Sequence, residues 1–419
     1  MAFTMTQRLA IDFGTSNTAA ACCLDGDVRH IQLETNQATI PTAVFFPQSV
    51  AKMEIGTRAN SALIQGEEGR YMRALKSVLG TSLMPEQRLL GRKRLDFYDV
   101  ISAFLRDIKQ RSEAATGLTF DAVLSGRPVR FHSIDEDRNA QAEKDLLECY
   151  RRAGFSDIQF CPEPEAAAYS LGGKLAPNRV GLVVDIGGGT SDFTVFKSGS
   201  PLEVIASYGV RIGGTDFDRI LNFTQVMPHF GRGHSVQSAM GGNVLSAPNH
   251  IFHDLSRWEK IPFFYDPASL KFAKELLRDS IDKTPFTRLV ELIEYQYGHD
   301  LAFSVEAAKI KSNATRGRFD AQLDFLSDPI AVEISYKQMM QDISALQEDL
   351  MTAMRDTVAK ADLDVRDIQD IVLVGGSSLM GFVVEAINQV FDKPEIHQDT
   401  IFTAIVDGLA IQSVNEVRA

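Results

Sequence analysis

Four short segments set glycine beside serine, threonine or aspartate at the end of an apolar, strand-like run. They are IDFGTSNT (Ile11–Thr18), VDIGGGTSDF (Val184–Phe193), VRIGGTDFD (Val210–Asp218) and IVLVGGSSLM (Ile371–Met380). Glycine inside a strand costs conformational entropy and offers nothing to pack. Three in a row at Gly187, Gly188 and Gly189 therefore imply either a tight hairpin or a ligand that approaches the bare main chain. Backbone N–H groups with hydroxyls beside them make anion-binding concavities. Carboxylates on the same turns would repel a phosphate directly, but they fit if a hydrated divalent cation lies between. Mg2+ keeps several of its waters and is held by a few carboxylates plus phosphate oxygens. Asp12, Asp185 and Asp192 are the natural carriers of such an ion. None of the segments has the spacing GxxxxGK[ST] or GxGxxG, so a nucleotide here needs another architecture. One glycine turn alone would read as an ordinary hairpin; four in order, two of them repeated, argue against that.

The repeat shows what must position these residues. RLAIDFGTSNTAAACCLDGD, from Arg8, is echoed by GLVVDIGGGTSDFTVFKSGS, from Gly181, so that Asp12 matches Asp185 and Gly14 matches Gly187. A repeat at this distance is too long for a solenoid; it suggests two similar half-domains, each offering a hairpin. Around the echo, strands alternate with helices. DVRHIQL, TAVFFP, FDAVLSGRP, PLEVIASYG and DIQDIVLV read as strands. DVISAFLRDIKQRSEAATG, AQAEKDLLECYRRAGF, MGFVVEAINQVF and one long run from Ser335 to Leu363 read as helices. That alternation implies an α/β fold with mixed β-sheets. The stretch from about Asn222 to Asp300, with the single Trp258 and the run IPFFYDP, reads as a mostly helical subdomain. His250 and His253 form an HxxH without a third ligand, which favours loop or core histidines over a metal site.

Bulk composition bounds the rest. With 419 residues, 44% hydrophobic and 23% charged, the chain is long enough for two or more cores. A net charge of -12 argues against nucleic acid or an anionic membrane as partner. The four cysteines contain no CxxC pair, which argues against zinc and fits a reducing, cytoplasmic compartment. The N-terminus MAFTMTQRLAIDFG lacks the pattern of a signal peptide, and no 18-residue uncharged apolar run suggests a membrane span.

Taken together, the motifs resemble the nucleotide-binding domain of the DnaK-type heat-shock protein 70 chaperones, within the actin, sugar-kinase and heat-shock ATPase superfamily. The resemblance runs from about Arg8 to Ser413. It implies two actin-like (ribonuclease H-like) lobes, 1–178 and 179–419, around a central cleft for ATP or ADP with Mg2+. The second lobe would include an extended helical subdomain at about 219–315. AIDFGTSNT resembles the first phosphate motif, so Gly14, Thr15, Ser16 and Asn17 would face the β- and γ-phosphates. VVDIGGGTSDFTV resembles the second, with Gly187, Gly188, Gly189 and Thr190 on the other side. IGGTDFD supplies Gly213, Gly214 and Asp216, and IVLVGGSS resembles the adenosine motif with Gly375, Gly376 and Ser377. ALKSVLG nominates Lys76 for the transferred phosphate, and PEPEAAAYSLG nominates Glu163 for organising the attacking water. GRPVRF aligns Pro128 with a hinge proline, VEAAKI places Glu306 and Lys309 near the ribose, and FTAIVDGLAIQSV resembles the domain's last helix. Thr190 and Asp192 join Lys76 and Glu163 in the implied catalytic set.

Three departures qualify the resemblance. The chain ends at Ala419, which implies a form without the usual peptide-binding module. The arginines that sandwich adenine in the family are replaced by Ile310 and Leu379, which implies weaker or less base-selective nucleotide binding. The segment between Gly214 and Glu306 is longer than the family's. The expected function is an Mg-ATP-binding, slowly hydrolysing, chaperone-like protein with protein clients or co-chaperones. A small-metabolite kinase, an actin-like filament protein and a non-hydrolysing nucleotide-binding partner protein are the alternatives.

Overall fold

A computed structural model describes residues 7–24, 26–35, 37–48, 52–90, 93–132, 135–171, 175–199, 202–237, 243–258, 260–398 and 403–415. Met1–Thr6, where a leader would start, lie outside the described residues, as do Gly172 and Phe402 of the quoted motifs. The chain forms two compact units. One comprises Met1–Gly213, Glu348–Leu379 and Val383–Ala419; the other comprises Gly214–Gln347 and Met380–Phe382.

The first unit contains two large sheets, beside a three-stranded sheet (Ala43–Pro47, Glu54–Ile55 and Gly69–Arg73) and the hairpin Arg88–Leu90/Lys93–Leu95. The strands of the first are β1 (Arg8–Phe13), β2 (Asn17–Leu24), β3 (Asp27–His30), β4 (Thr39–Pro41), β5 (Ala122–Arg127) and β6 (Asp157–Pro162), in the order β6-β5-β1-β2-β3 with β4 also on β2. Those of the second are β7 (Val180–Ile186), β8 (Ser191–Lys197), β9 (Glu203–Val210), β10 (Asp370–Val374) and β11 (Glu395–His397), in the order β9-β8-β7-β10-β11. The sheets match strand for strand. Each has a leading strand paired antiparallel with the next, which pairs antiparallel with the third, and two parallel strands on the far side. The sequence echo is thus a duplicated mixed sheet. The leading strands are apolar on both faces, as central strands must be: Leu9, Ala10, Ile11 and Phe13 in one, Leu182, Val183, Val184 and Ile186 in the other, are all buried.

Helices α1 (Phe97–Thr116) and α2 (Glu136–Ala153) flank the first sheet. Asp96 and Asp99 make a capping box at the start of α1, and Gly117, at φ 72, ends it. Asp135 caps α2 and Gly154 terminates it. Val100, Phe104, Ile108, Leu146 and Tyr150 pack with Leu9, Ile11 and Phe13 in one core.

Two further helices exchange sheets. α3 (Glu163–Leu171) follows β6 of the first sheet but packs on β7 and β8 of the second. α4 (Ala404–Asn415) follows the second sheet but packs on β1 and β2 of the first. The pair touch each other through small residues: a Cβ on Gly408 would lie 1.6 Å from the Ala166 carbonyl oxygen. Ala166, Ala167, Ala168, Ile405 and Leu409 join residues of both sheets in a second core.

The second unit holds helices Gly214–Leu221, Pro267–Asp279, Lys283–Glu294 and Gly298–Thr315, a π-helical turn Asn222–Val226, and hairpins Arg318–Leu323/Ile330–Ser335 and Ser235–Gln237/Val244–Ser246. The single long helix expected after Ser335 is two, Tyr336–Asp342 and Ser344–Lys360. Ser335 caps the first, and Ile343, at φ -94 and ψ 3, leaves helical geometry between them. His250 and His253 sit on the short helix Asn249–Leu255 and join no metal-ligating group among the described residues. No helix among the described residues is long and apolar enough to cross a membrane.

Candidate functional site

Each leading strand delivers an aspartate to its hairpin. Asp12 pairs across the ladder with Ala19, and Asp185 with Asp192. The turns that follow are tight for identifiable reasons. A Cβ on Gly14 would lie 2.3 Å from the Asn17 carbonyl oxygen, and the Gly187 N–H donates to the Thr190 carbonyl at 3.0 Å. The two turns meet within the first unit: a Cβ on Gly188 would lie 2.3 Å from Ser16 Oγ. The third turn follows β10. Gly375 has φ +77, and a Cβ there would lie 2.4 Å from the Ile186 carbonyl and 2.9 Å from Asp185 Oδ1, so only glycine fits.

These turns enclose a cavity of about 100 Å3. Its wall includes Asp12, Gly14, Thr15, Ser16 and Asn17 from the first turn. Asp185, Gly187, Gly188 and Thr190 come from the second, and Gly375 and Gly376 from the third. Lys76 and Glu163 complete the expected set. Lys76 stands on a single 3-10 turn (Leu75–Val78) entered through Ala74 at φ 57, and Glu163 opens α3. Their side chains form a buried ion pair and hydrogen bond.

The electrostatics call for a cation. Asp12, Asp185 and Glu163 face one ammonium, that of Lys76. Burial, reinforced by Glu163 and opposed by Lys76, pushes Asp12 from 3.8 up to about 7. Burial, with Glu163, Asp192 and Asp12 adding to it, holds Asp185 well above the carboxylate range. Burial pulls Lys76 down, yet Glu163 and Asp12 outweigh it, and the net shift is upward. Asp12 Oδ1 is buried without a hydrogen-bond partner, a state that costs free energy unless a donor or cation completes it. A divalent ion fits this donor set. Asp12, Asp185 and Asp192 are not among the groups whose ligand atoms lie within 4.8 Å of one another, so a cation between them would be met through its waters.

Asp192 and the third glycine motif are placed differently from the rest. Asp192 is outside the cavity wall; its carboxylate accepts the Val129 N–H at 3.0 Å and a hydrogen bond from Thr190. Burial and Glu163 raise it to about 7. Gly213 backs the second turn, where a Cβ would lie 2.5 Å from the Gly189 nitrogen. Gly189 lines a smaller, adjoining cavity with Thr15, Lys76 and Thr190. Ser377 and Leu379 lie on the 3-10 turn Gly376–Leu379 outside the wall, with Leu379 42% exposed. Gly214, Glu306 and Lys309 belong to the second unit, where Lys309 Nζ pairs with Asp218 Oδ1 at 2.5 Å, both buried. Ile310, beside it, is 55% exposed.

Thr39 on β4 and Ile405 on α4 also line the cavity, and sequence reasoning assigned them no role. Thr39 lies three residues before the strand-like run TAVFFP and Ile405 within FTAIVDGLAIQSV, but neither residue carries a chemical signal. Among the described residues, the one group with metal-ligand spacing is Asp370, Glu395 and His397. Arg179 already occupies it, with Nε 2.6 Å from Asp370 Oδ2 and Nη2 3.3 Å from Glu395 Oε2.

Comparison with known proteins agrees with this architecture. The model of the MreB/Mbl protein family matches residues 95–229, and that of the Hsp70 protein family matches residues 299–414. A chaperone protein HscA homolog of Pseudoalteromonas atlantica is 23% identical over 97% of the chain. Chaperone protein DnaK of Thermosipho melanesiensis is 25% identical over 97%, and that of Nitrosopumilus maritimus 24% over 98%. The chain spans 58%, 58% and 56% of the length of these relatives. With its duplicated mixed sheets and facing glycine turns, the chain is similar to the DnaK-type Hsp70 chaperones over nearly its whole length, and its mixed α/β fold is consistent with the actin-like ATPases.

Proposed function

We propose that the chain binds Mg-ATP with its phosphates in this cavity and hydrolyses it slowly, as the ATPase of a chaperone-like protein. The observation that carries the reading is the pair of glycine turns facing each other around Asp12 and Asp185, beside the buried Lys76–Glu163 pair. The cavity's 100 Å3 is below the roughly 300–1,000 Å3 of a site that buries a whole drug-sized ligand. It suits the phosphate end alone.

Phosphoryl transfer to water asks for positioning and charge neutralisation more than covalent chemistry. The backbone N–H groups of the first and second turns would hold the phosphate oxygens. Bound Mg2+ would supply charge neutralisation at those oxygens. Asp12 and Asp185 would hold its water shell. Lys76 would neutralise charge on the γ-phosphoryl group. Glu163, inside the wall, would orient the attacking water and take its proton; Asp192 would hold Thr190 in place from behind. The bond formed joins the water oxygen to the γ-phosphorus. The bond broken frees ADP, which keeps the bridging oxygen and its electron pair. Location in the cytoplasm and binding of protein clients or co-chaperones are part of the same proposal.

The test is single-turnover ATP hydrolysis by wild type, Asp185→Asn and Lys76→Ala, with ADP binding measured in parallel. Each variant should lose roughly 100-fold or more in rate, on the scale of a lost oxyanion donor. Equal rates in all three would overturn the roles; absence of nucleotide binding in wild type would overturn the site.

A further inference from the structure

Asp145, on α2, is a carboxylate that the mechanism above leaves unused, and it is only 2% exposed. Three neutral donors meet it. Tyr98 Oη–H and Gln141 Nε2–H donate to Oδ1 at 2.5 and 2.7 Å, and the Gly80 N–H donates to Oδ2 at 2.8 Å. Taking a carboxylate out of water costs free energy that neutral donors return only in part, so its place needs a reason. Two of the donors belong to the flanking helices, Tyr98 to α1 and Gln141 to α2 itself. Burial, with the bond to Asp145, holds the Tyr98 hydroxyl above its ordinary pKa, so it stays a donor. The third donor is main chain, four residues after Lys76. Arg138, Ala142 and Asp145 share one face of α2 by their spacing, and Gly80 lies against that face. A Cβ on Gly80 would be 2.3 Å from the Arg138 carbonyl oxygen and 3.0 Å from Ala142 Cβ.

We propose that Asp145 is a positioning residue for Lys76, fixing from α2 the turn that carries the ammonium into the cavity. The proposal rests on the nucleotide reading above. The turn has little to hold itself with. Leu75–Val78 is a single 3-10 turn, a form with poor hydrogen-bond geometry. It is entered through Ala74 at φ 57, a left-handed conformation that a non-glycine residue keeps only where its surroundings impose it. The entry is anchored by the strand Gly69–Arg73, which pairs with Ala43–Pro47. The exit is Leu79–Gly80, and three side chains bind its backbone. His132 Nε2–H donates to the Leu79 carbonyl at 2.8 Å, Arg138 Nε–H donates to the Gly80 carbonyl at 3.4 Å, and Asp145 accepts the Gly80 N–H. An ionised acceptor makes the stronger kind of bond to an N–H, and Tyr98 and Gln141 fix the orientation of this one. Asp145 thereby sets where the turn sits, and the turn sets the reach of Lys76 to Glu163.

The experiment is a double-mutant cycle on single-turnover ATP hydrolysis, with Asp145→Ala and Lys76→Ala made singly and together in the full chain. Asp145→Ala alone should lose about tenfold or more in rate, the scale on which a misplaced reacting group is felt. Its Mg-ADP affinity should stay within about threefold of wild type. In the Lys76→Ala protein, adding Asp145→Ala should change the rate by less than about twofold, because the effect passes through Lys76. Asp145→Asn keeps an acceptor for the Gly80 N–H and should recover most of the loss. A loss of equal size on both backgrounds would mean a purely structural role and overturn the proposal, as would a wild-type rate in Asp145→Ala. If Asp145→Ala does not fold, Asp145→Ser, whose hydroxyl is too short to span to Gly80, takes its place in the cycle. Failure of wild type to hydrolyse ATP, or a wild-type rate in Lys76→Ala, overturns the nucleotide reading instead. Amide hydrogen exchange of the nucleotide-free protein then decides the role of Asp145. Faster exchange over Leu75–Gly80 in Asp145→Ala, with α1 and the sheets unchanged, supports it; unchanged exchange there overturns it.

Discussion

Asp12 and Asp185 carry a stability cost that a bound cation would offset. Asp185 is buried and Asp12 half-buried with its Oδ1 fully enclosed, and both have pKa values raised above the ordinary 3.8. A carboxyl whose folded pKa exceeds its unfolded value stabilises the fold while protonated. That contribution is complete below about pH 4 and is lost as pH climbs through the folded pKa. For Asp12 and Asp192 the loss centres near pH 7. The cation-free protein should therefore melt at a lower temperature at pH 8 than at pH 5, and Mg2+ with ADP should remove most of the difference. Asp12→Asn should raise the stability of the cation-free protein at pH 8 by about 1–3 kcal/mol while weakening the Mg2+ effect. Thermal melts at the two pH values, with and without Mg-ADP, check both statements. A pH-independent melting temperature, or a variant no more stable than wild type, would refute them. Because protons and cation compete for the same oxygens, cation affinity should also rise with pH through this range.

Helices α3 and α4 are the element-scale feature on which the cavity depends. α3 brings Glu163 to the cavity and α4 brings Ile405, each helix having crossed to the sheet that did not precede it. Gly408→Ala would drive a methyl group onto the Ala166 backbone, which cannot yield as a flexible side chain would. Overpacking costs typically 1–3 kcal/mol and sometimes more; here the cost should be at or above about 3 kcal/mol. Urea unfolding reads it directly, and a midpoint within error of wild type would show that the helices separate easily. This crossing was not legible in the sequence. Periodicity identifies α1 and α2 as helices, and the echo around Asp12 and Asp185 identifies the two hairpins, because turn chemistry and hydrophobic alternation are local. Which sheet a helix packs on is not local. Neither is the pairing of Lys76 with Glu163, 87 residues apart, nor the hydrogen bonds that tie Asp192 to the Val129 N–H and to Thr190.

At the scale of the whole molecule, the positions that the resemblance assigns to phosphate and to base differ in kind. The turns carrying Gly14, Gly187–Gly189 and Gly375, proposed to face phosphate, belong to the first unit and are held by close contacts. The two positions that the resemblance assigns to adenine are Leu379, in the first unit and 42% exposed, and Ile310, in the second and 55% exposed. Neither can donate or accept a hydrogen bond to a base edge. Full burial of such a side chain is worth about 1.5–3 kcal/mol, so covering the exposed half of each gains roughly 1 kcal/mol for any purine. An arginine at each position would instead have added about 0.5–2 kcal/mol of cation–π attraction. Apolar contact discriminates poorly between ligands that differ in polar groups, whereas hydrogen bonding discriminates strongly. The chain should therefore bind ADP and GDP with affinities within about tenfold of each other. Competition titration with both nucleotides in Mg2+ measures the ratio. A preference for ADP beyond about 100-fold would mean that hydrogen-bonding groups elsewhere read the base. Leu379→Arg is the converse experiment: it should tighten binding of both nucleotides, by about two- to thirtyfold, because a guanidinium stacks on either purine.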